Sequence, residues 1–317
     1  MVYFPGYMGL ISENVSKGII ISDGAMGTML QARGMPLGTC PEMMNLAAPN
    51  VVKGITAEYI RAGAQLVETN TFGGNRFILG KYGLANRLAE INTAGVRLAK
   101  EAAEEASGAT DDAKGAGDKR AWVFASLGPS GEFLEPLGTL KRQALADAVT
   151  EQVLAFKEAG ADGVCVETLS DIIEAEICVK GVKDAGMECI ALMCFEPSPR
   201  GFHTMMGVNI PRAVKALIDS GADAIGAGCG VGSAKMLEIA REIRSVTGYP
   251  LVIHPNAGRP EYKGGRTTYP ETPVEMGRRA VELARIGVNV IGGCCGTTPE
   301  HIAAICAALN TEFPSQT

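Results

Sequence analysis

The stretch Ala159-Gly160-Ala161-Asp162-Gly163-Val164-Cys165-Val166-Glu167-Thr168 reads as a helix end, a glycine stop and a short apolar strand running into a polar loop. Glycine accepts the left-handed backbone that terminates a helix, so the Ala-Gly step marks a C-cap before a strand. The same grammar recurs at Ser220-Gly221-Ala222-Asp223, before the apolar run that ends at Gly228, and in shorter form at Ala62-Gly63-Ala64 and Ala185-Gly186. Working outward, eight strand-like runs stand at 18–22, 65–70, 121–127, 162–167, 189–195, 223–228, 250–255 and 287–292. They alternate with helical stretches at 51–61, 84–106, 141–158, 172–184, 210–219, 234–246, 273–285 and 299–309. Repeated βα units build a parallel sheet, and eight of each predict an α/β fold of the (β/α)8 TIM barrel type. A doubly wound open sheet would carry a glycine-rich phosphate loop after its first strand, which Asp23-Gly24-Ala25-Met26-Gly27-Thr28 lacks.

No composition break divides the 317 residues, so one barrel domain is expected over 1–317, with 1–17 as an N-terminal extension and 107–120, small and polar, as a surface loop. The net charge of -6 and the lack of any basic run exclude the electrostatic footprint of a nucleic-acid binder. No apolar run approaches the ~18 residues that span a bilayer. The N-terminus has no basic residue before Lys17 and does not read as a signal peptide. Nine scattered cysteines, several inside apolar runs (Cys165, Cys178, Cys189, Cys194), suit a reducing cytoplasm.

In such a barrel the chemistry sits at the C-terminal strand ends. There the sequence places Asp23-Gly24, Asn70-Thr71-Phe72-Gly73, Gly128-Pro129-Ser130-Gly131, Glu167-Thr168, Cys229, His254-Pro255-Asn256 and Gly292-Gly293-Cys294-Cys295-Gly296. Adjacent cysteines make a strained disulfide and lack the spacing of a redox or zinc-ribbon motif, but in a glycine-padded turn both can reach one metal. Cys229, from a wall strand near theirs, would complete three thiolates on one Zn2+ and leave a fourth position open for a substrate. A thiol acceptor in that position ionises near neutral pH while keeping its nucleophilicity, which is the chemistry of alkyl transfer to sulfur. Asp23 and Glu167 either cap and brace their loops or contact a ligand, and Asn256 either caps a turn or faces the metal. His203, His254 and His301 are available as ligands, but three thiolates already suffice, and His301 reads as a first-turn helix residue. The run Gly228-Cys229-Gly230-Val231-Gly232-Ser233 is too weak a glycine cluster to mark a nucleotide loop.

These motifs, taken in order from about residue 19 to 309 and ending in Gly292-Gly293-Cys294-Cys295-Gly296-Thr297-Thr298-Pro299, resemble the zinc-dependent homocysteine S-methyltransferase family. The likeness is greatest to the homocysteine-binding module of the cobalamin-dependent methionine synthases. The resemblance implies Cys229, Cys294 and Cys295 as zinc ligands and catalytic residues and homocysteine as methyl acceptor. Asp23, Gly24, Glu167 and Thr168 would then line the substrate site, with the two carboxylates on the amino group. Asn256 would hold the fourth zinc position until the substrate thiol displaces it. Two places depart from the family pattern: Gly228 stands where Asn usually precedes the first zinc cysteine, and 201–207 reads Gly-Phe-His-Thr-Met-Met-Gly. With no Asp-x-His-x-x-Gly cobalamin motif in the sequence, methylcobalamin or another methyl-corrinoid is expected on a separate partner protein. The alternatives are another acceptor in a corrinoid-dependent system, an S-methylmethionine or betaine donor, or a zinc-bearing barrel that senses thiols without turnover.

Overall fold

The computed structural model describes residues 9–36, 38–108, 120–263 and 266–314. Most of the predicted 107–120 loop, residues 1–8 of the N-terminal extension, and positions 264–265 lie outside the described residues. Eight parallel strands form the wall: Ile20–Ile21, Leu66–Glu68, Trp122–Leu127, Gly163–Leu169, Cys189–Met193, Ala224–Gly232, Leu251–Asn256 and Val290–Ile291. They are called the first to eighth strands below. Each neighbours the next in sequence, and the eighth pairs with the first through Ile20–Val290 and Ile21–Ile291. A parallel bridge from Ser22 to Leu66 joins the first strand to the second and closes the circle. The expected (β/α)8 barrel is therefore the observed fold.

Closure is reinforced at the N-terminal rim by one device used four times. The residue just before each even-numbered strand gives its backbone N–H to the start of the preceding odd strand and takes that residue's N–H on its side chain. Asp162 donates to the Val123 carbonyl and accepts the Val123 N–H on its carboxylate, both at 2.8 Å. Asp223 repeats this with Cys189, again at 2.8 Å each way. Asn289 does so with Leu251 at 2.9 Å, and Gln65 with Ile21 at 2.7 and 2.9 Å. An unpaired backbone N–H at a buried strand start costs about 1–3 kcal/mol, so four short polar side chains seal the places where the ladder begins. This explains why Asp follows the Ala-Gly-Ala and Ser-Gly-Ala steps.

Alternate strand residues point inward. Ile20, Leu66, Phe124, Cys165, Ile190, Leu192, Ala224, Val252 and Val290 fill the barrel interior as one apolar cluster. Ile11 belongs to it too, fully buried although it lies on a short helix (Leu10–Asn14) ahead of the first strand. Its N–H is held by Glu188 Oε1 at 2.7 Å, and burial pushes that carboxyl up to about 7. The helix plugs the end of the barrel remote from the predicted chemistry. The outer layer of helices packs on the wall through residues such as Tyr59, Phe156, Val179, Leu237 and Ile305.

The structure differs from the sequence reading mainly in the loops. The sixth strand runs on to Gly232 rather than stopping at Gly228, because an irregularity lets the chain keep pairing with the seventh. The stretch read as one helix from residue 84 begins as a 3-10 turn (Ala85–Arg87) before the helix Leu88–Gly108. Two antiparallel hairpins, Glu196–Ser198 with Gly201–His203 and Glu261–Lys263 with Arg266–Thr268, decorate the loops after the fifth and seventh strands. Among the described residues no helix is long and apolar enough to cross a membrane.

If the plug is part of the core, Ile11→Ala should cost about 2–4 kcal/mol in denaturant unfolding, as for a barrel leucine or isoleucine. An unchanged midpoint would show that residues 10–14 contribute nothing to the folded unit.

Candidate active site

Two irregular strand ends bring the predicted residues together. In the fourth strand the register with the fifth slips between Val166 and Leu169, and in the sixth the register with the seventh slips between Gly228 and Gly232. Among the described residues only two non-glycines adopt positive φ, Thr168 (60°) and Cys229 (62°), and each lies inside one of those slips. A left-handed β-branched residue costs on the order of 1–2 kcal/mol, so the surrounding pairing must over-determine it. These bulges turn the chain at the point where Glu167 and Cys229 leave the wall.

The turn after the eighth strand carries the cysteine pair. Its first glycine, Gly292, packs so closely on the first strand that an added Cβ would stand 2.7 Å from the Asp23 carbonyl oxygen. Gly293 then donates to that carbonyl at 2.9 Å, Cys294 donates to the Pro255 carbonyl at 2.8 Å, and Ala257 donates to the Cys295 carbonyl at 3.0 Å. Thr297 binds the Ala25 N–H and the Cys294 carbonyl through its hydroxyl, at 3.0 and 2.7 Å. Gly24 faces Thr297 and Tyr59 with no room for a side chain, the Cβ contact falling at 2.5 Å. The first, seventh and eighth loops are thus locked to one another.

The result is a triangle of half-buried sulfurs. The Sγ atoms of Cys229, Cys294 and Cys295 all lie within 4.8 Å of one another, and Cys229 and Cys295 are 4.0 Å apart. They share protons. Hydrogen bonds from Cys229 and Cys294 hold the Cys295 thiol down to about 3, while hydrogen bonding to Cys229 and Cys295 pushes Cys294 well above the ordinary thiol range. The Tyr269 ring packs against Gly296 beside this pair, and burial, then the neighbouring Cys295, push its phenol above the ordinary range. Cys194, at the end of the fifth strand, sits near enough to feel Cys229 and Cys295 electrostatically. His301 lies at the start of the last helix, accepting the Thr298 N–H at Nδ1 (3.1 Å) and donating from Nε2 to the Glu271 carbonyl (3.0 Å), away from the sulfurs.

Beside the triangle lies a buried acidic group. Asp23 accepts the Glu68 N–H at 2.8 Å, and Glu167 takes a short hydrogen bond from the Ser126 hydroxyl. Burial raises the carboxyls of Asp23, Glu68 and Glu167 above the usual range, and for Glu68 the neighbouring carboxyls of Glu167 and Asp23 add to the rise. His254 stands at the edge of this group, 3.6 Å from Glu68, and burial holds it down to about 4, so it is neutral near pH 7. Asn256 is only 3% exposed, and its Oδ1 has no hydrogen-bond partner. Glu68, Ser126 and Tyr269 were not singled out from the sequence, and His254 entered only as a metal ligand. Counting alternate residues inward along each strand would have found Glu68 and Ser126, since Leu66 and Phe124 are interior neighbours two positions before them. His203 sits on the exposed hairpin and does not join the site.

With that geometry in view, comparisons carry weight. The homocysteine S-methyltransferase family description matches residues 20–309. The methionine synthase of Mycobacterium tuberculosis is 34% identical over 305 residues, and that of Mycobacterium leprae 33% over 308, covering 93% and 94% of this chain. The chain spans about a quarter of the length of these relatives, 25% of each. Among solved structures, the homocysteine methyltransferase MmuM of Escherichia coli superposes with a TM-score of 0.75 in its metallated form, at 24% identity over 92% of this chain and 96% of that one. Its oxidised form gives 0.74 at 25% identity over 91% and 95%. At these identities the superposition speaks to the fold.

Gly296 tests the cysteine turn. It has φ 82° and a Cβ there would meet the Tyr269 ring at 2.1 Å, so Gly296→Ala should lower unfolding stability by about 2 kcal/mol or more. Gly27, with open space around it, should accept alanine without loss. Equal tolerance at both would show that the turn is not packed as described.

Proposed function

The chain belongs to the homocysteine S-methyltransferase family, and from that membership we propose that it methylates the sulfur of homocysteine at a zinc ion held by Cys229, Cys294 and Cys295. The methyl donor in this reading is a methyl-corrinoid carried on a separate protein. The observation that carries the reading is the sulfur triangle, with all three Sγ atoms, from the ends of the sixth and eighth strands, within 4.8 Å of one another. Thiolates bonded at ~2.3 Å around tetrahedral zinc stand about 3.8 Å apart, so the donors fit the ion with small side-chain adjustments. The unpartnered Oδ1 of Asn256 suits the fourth position. Bound there, zinc supplies the Lewis acidity that keeps an acceptor thiol ionised near neutral pH, where a free thiol of pKa ~8.5 is largely protonated.

The chain's own residues orient the acceptor. Asp23 and Glu167 receive its ammonium group, with Glu167 fixed by the Ser126 hydroxyl and aimed by the left-handed turn at Thr168. Gly24 lets the first loop close on Thr297, which in turn holds the carbonyl of Cys294. Methyl transfer needs sulfur, carbon and leaving group in line at near-attack distance, so a bulky donor must reach the thiol from the open side. Phe72, Phe133, Leu137, Met205 and Tyr262 are exposed on loops after the second, third, fifth and seventh strands, and Met205 and Tyr262 are each 79% exposed. Apolar side chains ringing the mouth favour a protein-borne donor that covers them. The nine cysteines are all unbridged, consistent with work in a reducing cytoplasm.

The test is methyl transfer by the zinc-loaded protein. Homocysteine should be methylated slowly from free methylcobalamin and faster from a cognate methyl-corrinoid protein, and Cys229→Ser should abolish both. Robust turnover with S-methylmethionine and none with any methyl-corrinoid would contradict the donor assignment.

A further inference from the structure

Three interior carboxyl groups, Asp23, Glu68 and Glu167, meet inside the barrel beside the sulfur triangle. Glu68 is the connecting member. Its backbone N–H holds Asp23 Oδ2 at 2.8 Å, its carboxyl lies beside that of Glu167, and its Oε1 faces His254 Nδ1 at 3.6 Å, too far for a hydrogen bond. Among the described residues the one basic side chain recorded within ion-pair distance of the three is His254. That imidazole is itself buried and makes no hydrogen bond to them. A buried carboxylate without a cation costs several kcal/mol, so this group is built either to keep protons or to receive a positive charge from a ligand.

A second, independent observation points to a ligand. Among the described residues the buried side-chain atoms left without a hydrogen-bond partner include Glu68 Oε1, His254 Nε2 and Asn256 Oδ1. His254 and Asn256 are each only 3% exposed and stand on the same face of the seventh strand, two residues apart, pointing inward. Polar atoms so placed are satisfied when something polar occupies the space they line.

We propose that Glu68, flanked by His254, is a specificity-determining positioning residue that holds Asp23 and Glu167 as a receptor for the ammonium group of the acceptor thiol. This rests on the acceptor reading above and adds a residue to it. Packed beside Glu167 and bonded through its N–H to Asp23, Glu68 sets which carboxylate oxygens face the ligand. An ammonium group bound there supplies the cation that these buried carboxyls lack, which selects an amino-acid thiol over an uncharged one. A thiol of equal length without the amine gains nothing from it.

The test compares two ligands on the zinc-loaded protein by calorimetry, homocysteine and 4-sulfanylbutanoate, which lacks only the amino group. Glu68→Gln keeps the shape and removes the carboxyl that can ionise when an ammonium group binds. It should weaken homocysteine about tenfold or more, the worth of one charge-assisted hydrogen bond, and leave 4-sulfanylbutanoate within about twofold of wild type. Zinc content should stay unchanged, and retained binding of the desamino ligand certifies that the variant is folded. His254→Gln should weaken homocysteine in the same selective way. Equal losses for both ligands, or an unchanged homocysteine affinity in Glu68→Gln, would overturn the inference and leave the zinc and acceptor assignments standing. Failure of wild type to bind homocysteine would remove the acceptor reading and this inference with it.

Discussion

Ligands supplied from separate strand ends can converge only if the wall carrying those strands is closed, and closure is the constraint on which the site depends. The eighth strand contributes just two residues to the sheet and the first another two. Such short pairings are weak alone. They are reinforced because Gln65, ahead of the second strand, and Asn289, ahead of the eighth, each return a side-chain hydrogen bond to the odd strand beside them, as Asp162 and Asp223 do elsewhere in the wall. The device sits at the base, whereas the chemistry sits at the mouth. Stability and function are thereby separated along the barrel axis, with the apolar interior and the Ile11 plug between and beneath them.

At the mouth the chain departs from regular strand geometry where regularity would aim side chains wrongly. A straight strand alternates its side chains between wall and interior, and cannot turn one sideways toward a neighbouring loop. The slips at Thr168 and Cys229, each with a positive φ, make that turn at the cost of local strain. The strained residues are held by their flanks: Leu169 returns to pairing with Met193, and Gly232 to pairing with Asn256. Asn256 thus belongs to the register that fixes Cys229. Such strain at a ligand site trades stability for preorganisation.

Much of this was legible in the residues. Ala-Gly-Ala-Asp and Ser-Gly-Ala-Asp announced helix stops and strand starts because glycine's backbone freedom is a local property. The cysteine pair and its glycine padding announced, for the same reason, a turn that could aim both thiols one way, and the structure gathers them with Cys229. The path of the sixth strand beyond Gly228 was not legible, because the slip depends on its partner strand rather than on its own residues. Nor was the full acidic group: Glu68 reads locally as one polar residue at the end of an apolar run, and only the closed barrel sets it against Asp23, Glu167 and His254. The plug by Ile11 likewise depends on an opening that exists only after eight strands have joined. Local chemistry travels in the sequence, and contacts across the barrel do not.

The central claim is that three thiolates hold zinc and leave one position for the acceptor sulfur. It is tested most directly by zinc-edge X-ray absorption of the metal-loaded protein, recorded before and after adding homocysteine. The account expects three sulfurs and one oxygen or nitrogen around the ion at first, and four sulfurs afterwards. A sulfur count that stays at three when homocysteine is bound, or an initial shell without the three sulfurs, would contradict it.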